Sequence, residues 1–142
     1  MRVIKLYEDF SKASNIPNSI NDIVKKRVAF IKKIKSNVED IFVELLDNNF
    51  LVDVNVTNNN NKMSGYFKCE ILIVKQEHDV PESPYTSPES FNFIDIKEYV
   101  MMFESYINEY DYENLKYNLP YFVDDLDSAF ISYVKISVFI KL

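Results

Sequence analysis

The sequence predicts an α+β fold: a two-layer sandwich with a four-stranded antiparallel sheet and two helices on one face. Three observations carry this. A long stretch with apolar residues at every third or fourth position is followed by two stretches of strict alternation. A second helical stretch comes next, and two more alternating stretches close the chain. The order is therefore α-β-β-α-β-β, the connectivity of a ferredoxin-like sandwich circularly permuted by one strand. A chain of 142 residues with 47% hydrophobic content can build one such core.

Residues 1–17 read as an N-terminal arm, carrying Val3, Ile4, Leu6, Tyr7 and Phe10 and closed by Pro17. The single domain spans 18–142. Its first helix is expected to start with Ser19 as N-cap and Asp22 three residues on. The apolar positions Ile20, Ile23, Val24, Val28, Ile31, Ile34, Val38, Ile41, Phe42 and Leu45 mark one stripe of about eight turns. The run Asp47–Asn49 stops it, because Asn tolerates the left-handed conformation of a helix end.

Two strands follow. Phe50, Val52, Val54 and Val56 alternate with Leu51, Asp53, Asn55 and Thr57, and Phe67, Cys69, Ile71 and Ile73 alternate with Lys68, Glu70 and Leu72 after a polar loop. That loop ends in Gly65, the only glycine. Residues 76–92, "QEHDVPESPYTSPESFN", read as an irregular Pro-rich connection that either wraps the sheet or lies on a neighbour. Asp95 and Glu98 start the second helix, whose apolar face is Ile96, Tyr99, Val100, Phe103, Ile107 and Tyr110. Leu115, Tyr117 and Leu119 alternate in a third strand that ends at Pro120. The last strand puts Phe130, Val134, Ile136, Val138 and Ile140 on one face, with Tyr133, Lys135, Ser137, Phe139 and Lys141 on the other.

The sheet face away from the helices would carry Leu51, Tyr66, Leu72, Val74, Ile131, Tyr133 and Phe139. Such a face is too apolar to meet only water, so something is expected to cover it. The arm, the connection and another chain are the three candidates. The candidate interface is accordingly Leu6, Tyr7 and Phe10 of the arm, Tyr66, Leu72, Val74, Tyr133 and Phe139 of the sheet, and Tyr85 of the connection.

Reactive groups are sparse. Cys69 stands alone, which excludes an internal disulfide and a cysteine zinc cage, and it falls on the core side of its strand. The one histidine, His78, lies between acids in the Pro-rich connection. One glycine cannot build a phosphate-binding loop. Asp124, Asp125 and Asp127 form the densest carboxylate cluster but lack the remaining positions of a calcium loop, so a solvated turn is expected. No catalytic residue, cofactor or metal is predicted. No apolar run reaches the roughly 18 residues of a membrane span. The start lacks the features of a secretory signal, so "NVT" at Asn55–Thr57 is read as a chance match to a glycosylation acceptor.

Charge is divided along the chain. The net charge is −6, which argues against a nucleic-acid coat. Residues 20–36 nevertheless hold Lys25, Lys26, Arg27, Lys32, Lys33 and Lys35 against Asp22 alone. Lys25, Lys32 and Lys35 are the best phosphate-binding candidates, but base-reading motifs are missing. Residues 77–127 hold thirteen acids against Lys97 and Lys116. Two surfaces of opposite sign suit head-to-tail assembly.

The opening "MRVIKLYEDF", followed by an Asn-, Lys- and Ile-rich domain, resembles small virion proteins of tailed bacteriophages of AT-rich hosts. The resemblance rests on this leader and on composition, and it carries over no functional residue. It implies a particle component, packaged in the head or forming part of a head or tail ring. The expected function is therefore non-enzymatic assembly with other virion proteins or with copies of itself, in the virion or the host cytoplasm. The alternative is a small acidic inhibitor of a host or defence protein.

Overall fold

Alternating Ile, Val and Phe build the inner face of a four-stranded antiparallel sheet in this computed structural model, which describes residues 18–58, 65–76 and 89–141. The expected arm, the hairpin tip and most of the Pro-rich connection lie outside the described residues. So do Leu6, Tyr7, Phe10, His78 and Tyr85.

Helix α1 spans Asn18–Phe42, tightens into a 3-10 turn over Val43–Asn48, and ends where Asn49 adopts φ 66°. Ser19 thus lies inside the helix rather than capping it, a difference of the size at which helix ends fray. Strand β1 is Phe50–Asn58 and β2 is Tyr66–Lys75. Helix α2 is Lys97–Ile107, entered through a 3-10 turn at Phe93–Asp95. Strand β4 is Tyr112–Asn118 and β6 is Tyr133–Lys141. Within the sheet the order is β1-β2-β6-β4, with every neighbouring pair antiparallel. This is the order of a ferredoxin-like sheet after permutation by one strand.

The centre of the sheet is its driest part. Ile71 of β2 stands opposite Ile136 of β6, and both are fully buried. Cys69, Ile73, Val134 and Val138 flank them, also without exposure. Ile34, Val38 and Phe42 of α1 and Val100, Phe103 and Ile107 of α2 complete the same core. Phe42 and Phe103 meet across the two helices, ring centroids 6.2 Å apart.

Two departures from simple alternation shape the rest. Residues 76–92 are not wholly irregular: Glu89 bridges Lys75, and Phe91–Asn92 forms β3, which pairs with β5 at Phe130–Ile131. Phe91 is buried and packs on Phe50, centroids 5.1 Å apart. The final strand is broken at Ser132 between β5 and β6. Its phase therefore slips by one residue. Ile131, expected on the far face, is buried, while Phe130, expected inside, faces solvent. A slip of one residue exchanges the faces of a strand, as the twofold side-chain period requires. A second reset occurs in β4, where Glu113 pairs with Phe139 but Lys116 pairs with Ser137. Asn114, at φ 56°, supplies the left-handed residue of this bulge. Leu115 and Tyr117 regain the half-buried side beyond it.

The paired isoleucines give a direct check. Ile136→Ala should cost about 2–5 kcal/mol in urea unfolding, because the packed centre cannot close over the lost methyl groups. Asn55→Ala, on an exposed position of β1, should stay within about 0.5 kcal/mol of wild type.

Candidate functional site

The far face of the sheet gathers the residues that sequence assigned to it, apart from Ile131. Register places Leu51 opposite Val74, Val74 opposite Tyr133, and Tyr66 near Phe139 across the neighbouring pair Lys68–Phe139. Leu51 and Leu72 are exposed, whereas Tyr66, Val74, Tyr133 and Phe139 are half-buried. The middle of the face is charged. Glu70 takes an ion pair from Lys68 at 2.6 Å and another from Lys135 at 3.4 Å. These partners, the Lys68 hydrogen bond first, hold the Glu70 carboxyl below its ordinary range. Lys68 also lies over the Phe139 ring, 6.0 Å from its centroid. Long lysine stems thus shield apolar neighbours while their ammonium groups stay wet. The face is more polar than its apolar residues alone imply, and it is not one continuous greasy patch.

Cys69, Asp125 and Asp127 are bound up in structure. Cys69 is buried, and burial pushes its thiol up to about 12. Asp125 caps the 3-10 turn Leu126–Ser128: its carboxylate accepts from the Asp127 backbone N–H at 3.2 Å and from Ser128 Oγ at 2.7 Å. Asp127 pairs with Lys97 at 2.8 Å. The acidic turn is therefore a capped, cross-braced connection. Among the described residues no three His, Cys, Asp or Glu side chains converge as a metal cage. No described helix is long and apolar enough to cross a membrane.

Tyrosines brace the two helices. Asn37 Nδ2 donates to Tyr106 Oη at 3.0 Å, and Tyr106 and Tyr110 share a hydrogen bond at 3.4 Å. Burial, then the Tyr110 contact, pushes Tyr106 up to about 12. Tyr117 Oη donates to Glu104, and burial followed by that carboxylate raises the phenol. Tyr99 Oη donates to Glu44 Oε2 at 2.9 Å, a bond that raises it as well.

The most exposed apolar side chains lie elsewhere. The row that buries Phe30, Ile34 and Val38 continues backwards as Arg27, Ile23 and Ile20, all exposed. Lys25, Lys32 and Lys35 are exposed on the same helix, as their positions predict. On the outer side of α2, Met101 and Met102 are 55% and 48% exposed. With Ile94, Lys97, Glu98 and Ser105 they line a shallow depression. The turn after β4 presents Phe122, 88% exposed, and Tyr121 Oη donates to the Phe130 carbonyl.

Sequence reasoning missed this second group. Met101 and Met102 sit between the core positions Val100 and Phe103, and the helical period alone marks them as outward. That signal was available. The exposure of Phe122 and Phe130 was not, because it depends on the break at Ser132 and on the turn that Asp125 caps.

Comparison with protein-family models, curated proteins and solved structures returned no match.

Two outcomes test this placement of polar groups. Cys69 should stay unreactive toward Ellman's reagent at neutral pH in the native protein and titrate fully in denaturant. The raised tyrosines should make the fold alkali-sensitive. A phenol whose folded pKa exceeds its ordinary 10.0 contributes stability in full below that value and loses it as pH rises toward about 12. The thermal midpoint should therefore fall above pH 10, and Tyr106→Phe should fall less steeply than wild type over that window.

Proposed function

We propose that this chain is a non-enzymatic assembly module of a tailed-phage particle, held in place by protein–protein contacts. One observation carries the reading. Large apolar side chains are exposed in clusters on ordered elements: Ile20 and Ile23 on α1, and Ile94, Met101 and Met102 along α2 and the turn before it. Each such cluster stands among charges, as partner-binding patches with polar rims do. The resemblance of "MRVIKLYEDF" to the leaders of small virion proteins supports placing the module in a particle.

A second reading has its own support. Glu109, Asp111, Glu113, Asp124 and Asp125 are all exposed and follow one another through the second half of the chain. Such a surface suits a small acidic inhibitor that docks on a basic site of a host or defence protein. The sheet residues Tyr66, Leu72, Val74, Tyr133 and Phe139 serve either reading as a secondary contact area.

Mass spectrometry of purified particles from the source separates the two. The assembly reading expects the chain in stoichiometric amount with other particle proteins. Its absence from particles, together with capture of a single host protein by the tagged chain, would instead establish the inhibitor.

A further inference from the structure

We infer that the overhanging start of α1 in one copy docks on the acidic, methionine-bearing face of α2 in a second copy, so that the protein self-associates head to tail. This rests on the assembly reading and deepens it by naming both halves of the contact.

The geometry begins with length. A helix of 25 residues is ~37 Å long at 1.5 Å per residue. The nine-residue strand β6 spans only ~30 Å. The helix outruns the layer it covers, and the excess falls at its N-terminal end, where Phe30 is the first buried residue. Ile20, Ile23 and Val28 are exposed there at 41%, 49% and 43%. Lys25, Lys26 and Arg27 stand beside them, so this end is both apolar and basic.

Cross-helix contacts place the second surface at the other end. Glu44, just past α1, meets Tyr99; Phe42 meets Phe103; Asn37 meets Tyr106; Phe30 meets Tyr110, ring centroids 5.9 Å apart. Numbers fall along α1 as they rise along α2, so the two helices run antiparallel. The basic overhang projects past Tyr110. The depression runs along the outer side of α2 from Ile94 through Met101 and Met102 to Ser105, with Glu98 exposed in its lining and Asp95 exposed beside Ile94. Lys97, its one cation, is engaged by Asp127.

Charge selects the occupant. A two-fold pairing of overhangs would set Lys25, Lys26 and Arg27 against their own copies, and like charges facing each other oppose association. The acidic face of a second copy offers the opposite sign together with two flexible thioethers that adapt to a helix ridge. Because the two surfaces differ and sit at opposite ends, the contact is heterologous and extends to a ring or a filament.

The test uses sedimentation velocity on the full chain and two exposed-site variants, Ile23→Asp and Met101→Asp. Wild type should form concentration-dependent oligomers that weaken as salt screens the opposed charges. Each variant alone should raise the dissociation constant about tenfold or more. An equimolar mixture should form a one-to-one dimer and nothing larger, because each variant keeps the surface the other has lost. Lys26→Glu can replace Ile23→Asp, and Met102→Asp can replace Met101→Asp, should either variant fold poorly. A mixture that stays monomeric, variants that associate like wild type, or a wild type that is monomeric throughout overturns the docking. The assembly reading itself falls only if the chain is also absent from particles.

Discussion

A helix must be matched in length to the layer that buries it, and in this protein the match fails on one side. Strands of seven to ten residues set how far the sheet can reach. Within that reach α1 buries Phe30, Ile34, Val38 and Phe42; beyond it the same apolar row has no partner among the described residues. Leaving Ile20 and Ile23 41% and 49% exposed forgoes about half of the roughly 1.5–3 kcal/mol that full burial of each side chain would give. The continuation of the row past the domain edge, interrupted only by Arg27, is the feature on which the surface chemistry turns.

The core itself is conventional in its physics. Two central strands present isoleucine and valine to two antiparallel helices, and no buried polar side-chain atom of the described residues lacks a hydrogen-bond partner. Tyrosines close the margins. Their rings contribute apolar area while each hydroxyl reaches Asn37, Glu44 or Glu104 at the rim. This arrangement lets an aromatic-rich chain with no tryptophan pack without stranding polar groups. It also uses acidic side chains as acceptors, which accounts for part of the negative charge around α2.

The far sheet face illustrates how a list of apolar residues can mislead. Leu51, Tyr66, Leu72, Val74, Tyr133 and Phe139 do share that face, as alternation requires. Between them stand Lys68, Glu70 and Lys135: Glu70 pairs with Lys68 along its own strand and with Lys135 across to the next. Exposed pairs of this kind add at most about 1 kcal/mol each. Their effect is on solvation: they break the apolar surface into smaller pieces and lie over its rings. The greater exposure of apolar side chains is on the helices.

Local periodicity alone determined the two helices, the long strands and their inward faces, because helical and extended backbones impose repeats of 3.6 and 2 on any buried surface. It also determined the division of charge along the chain. Tertiary structure decided everything that depends on phase or on relative placement. The slip at Ser132 put Ile131 inside and Phe130 outside, and the bulge at Asn114 did the same service for Leu115. Phe91 became a core residue only because a second, two-stranded sheet formed against Phe130 and Ile131. The antiparallel packing of α1 on α2 turned a sequence that is basic early and acidic late into a molecule with unlike ends. Composition carries no information about which residues meet across tens of positions; contacts such as Asn37 with Tyr106 do, and they exist only after the chain has closed on itself.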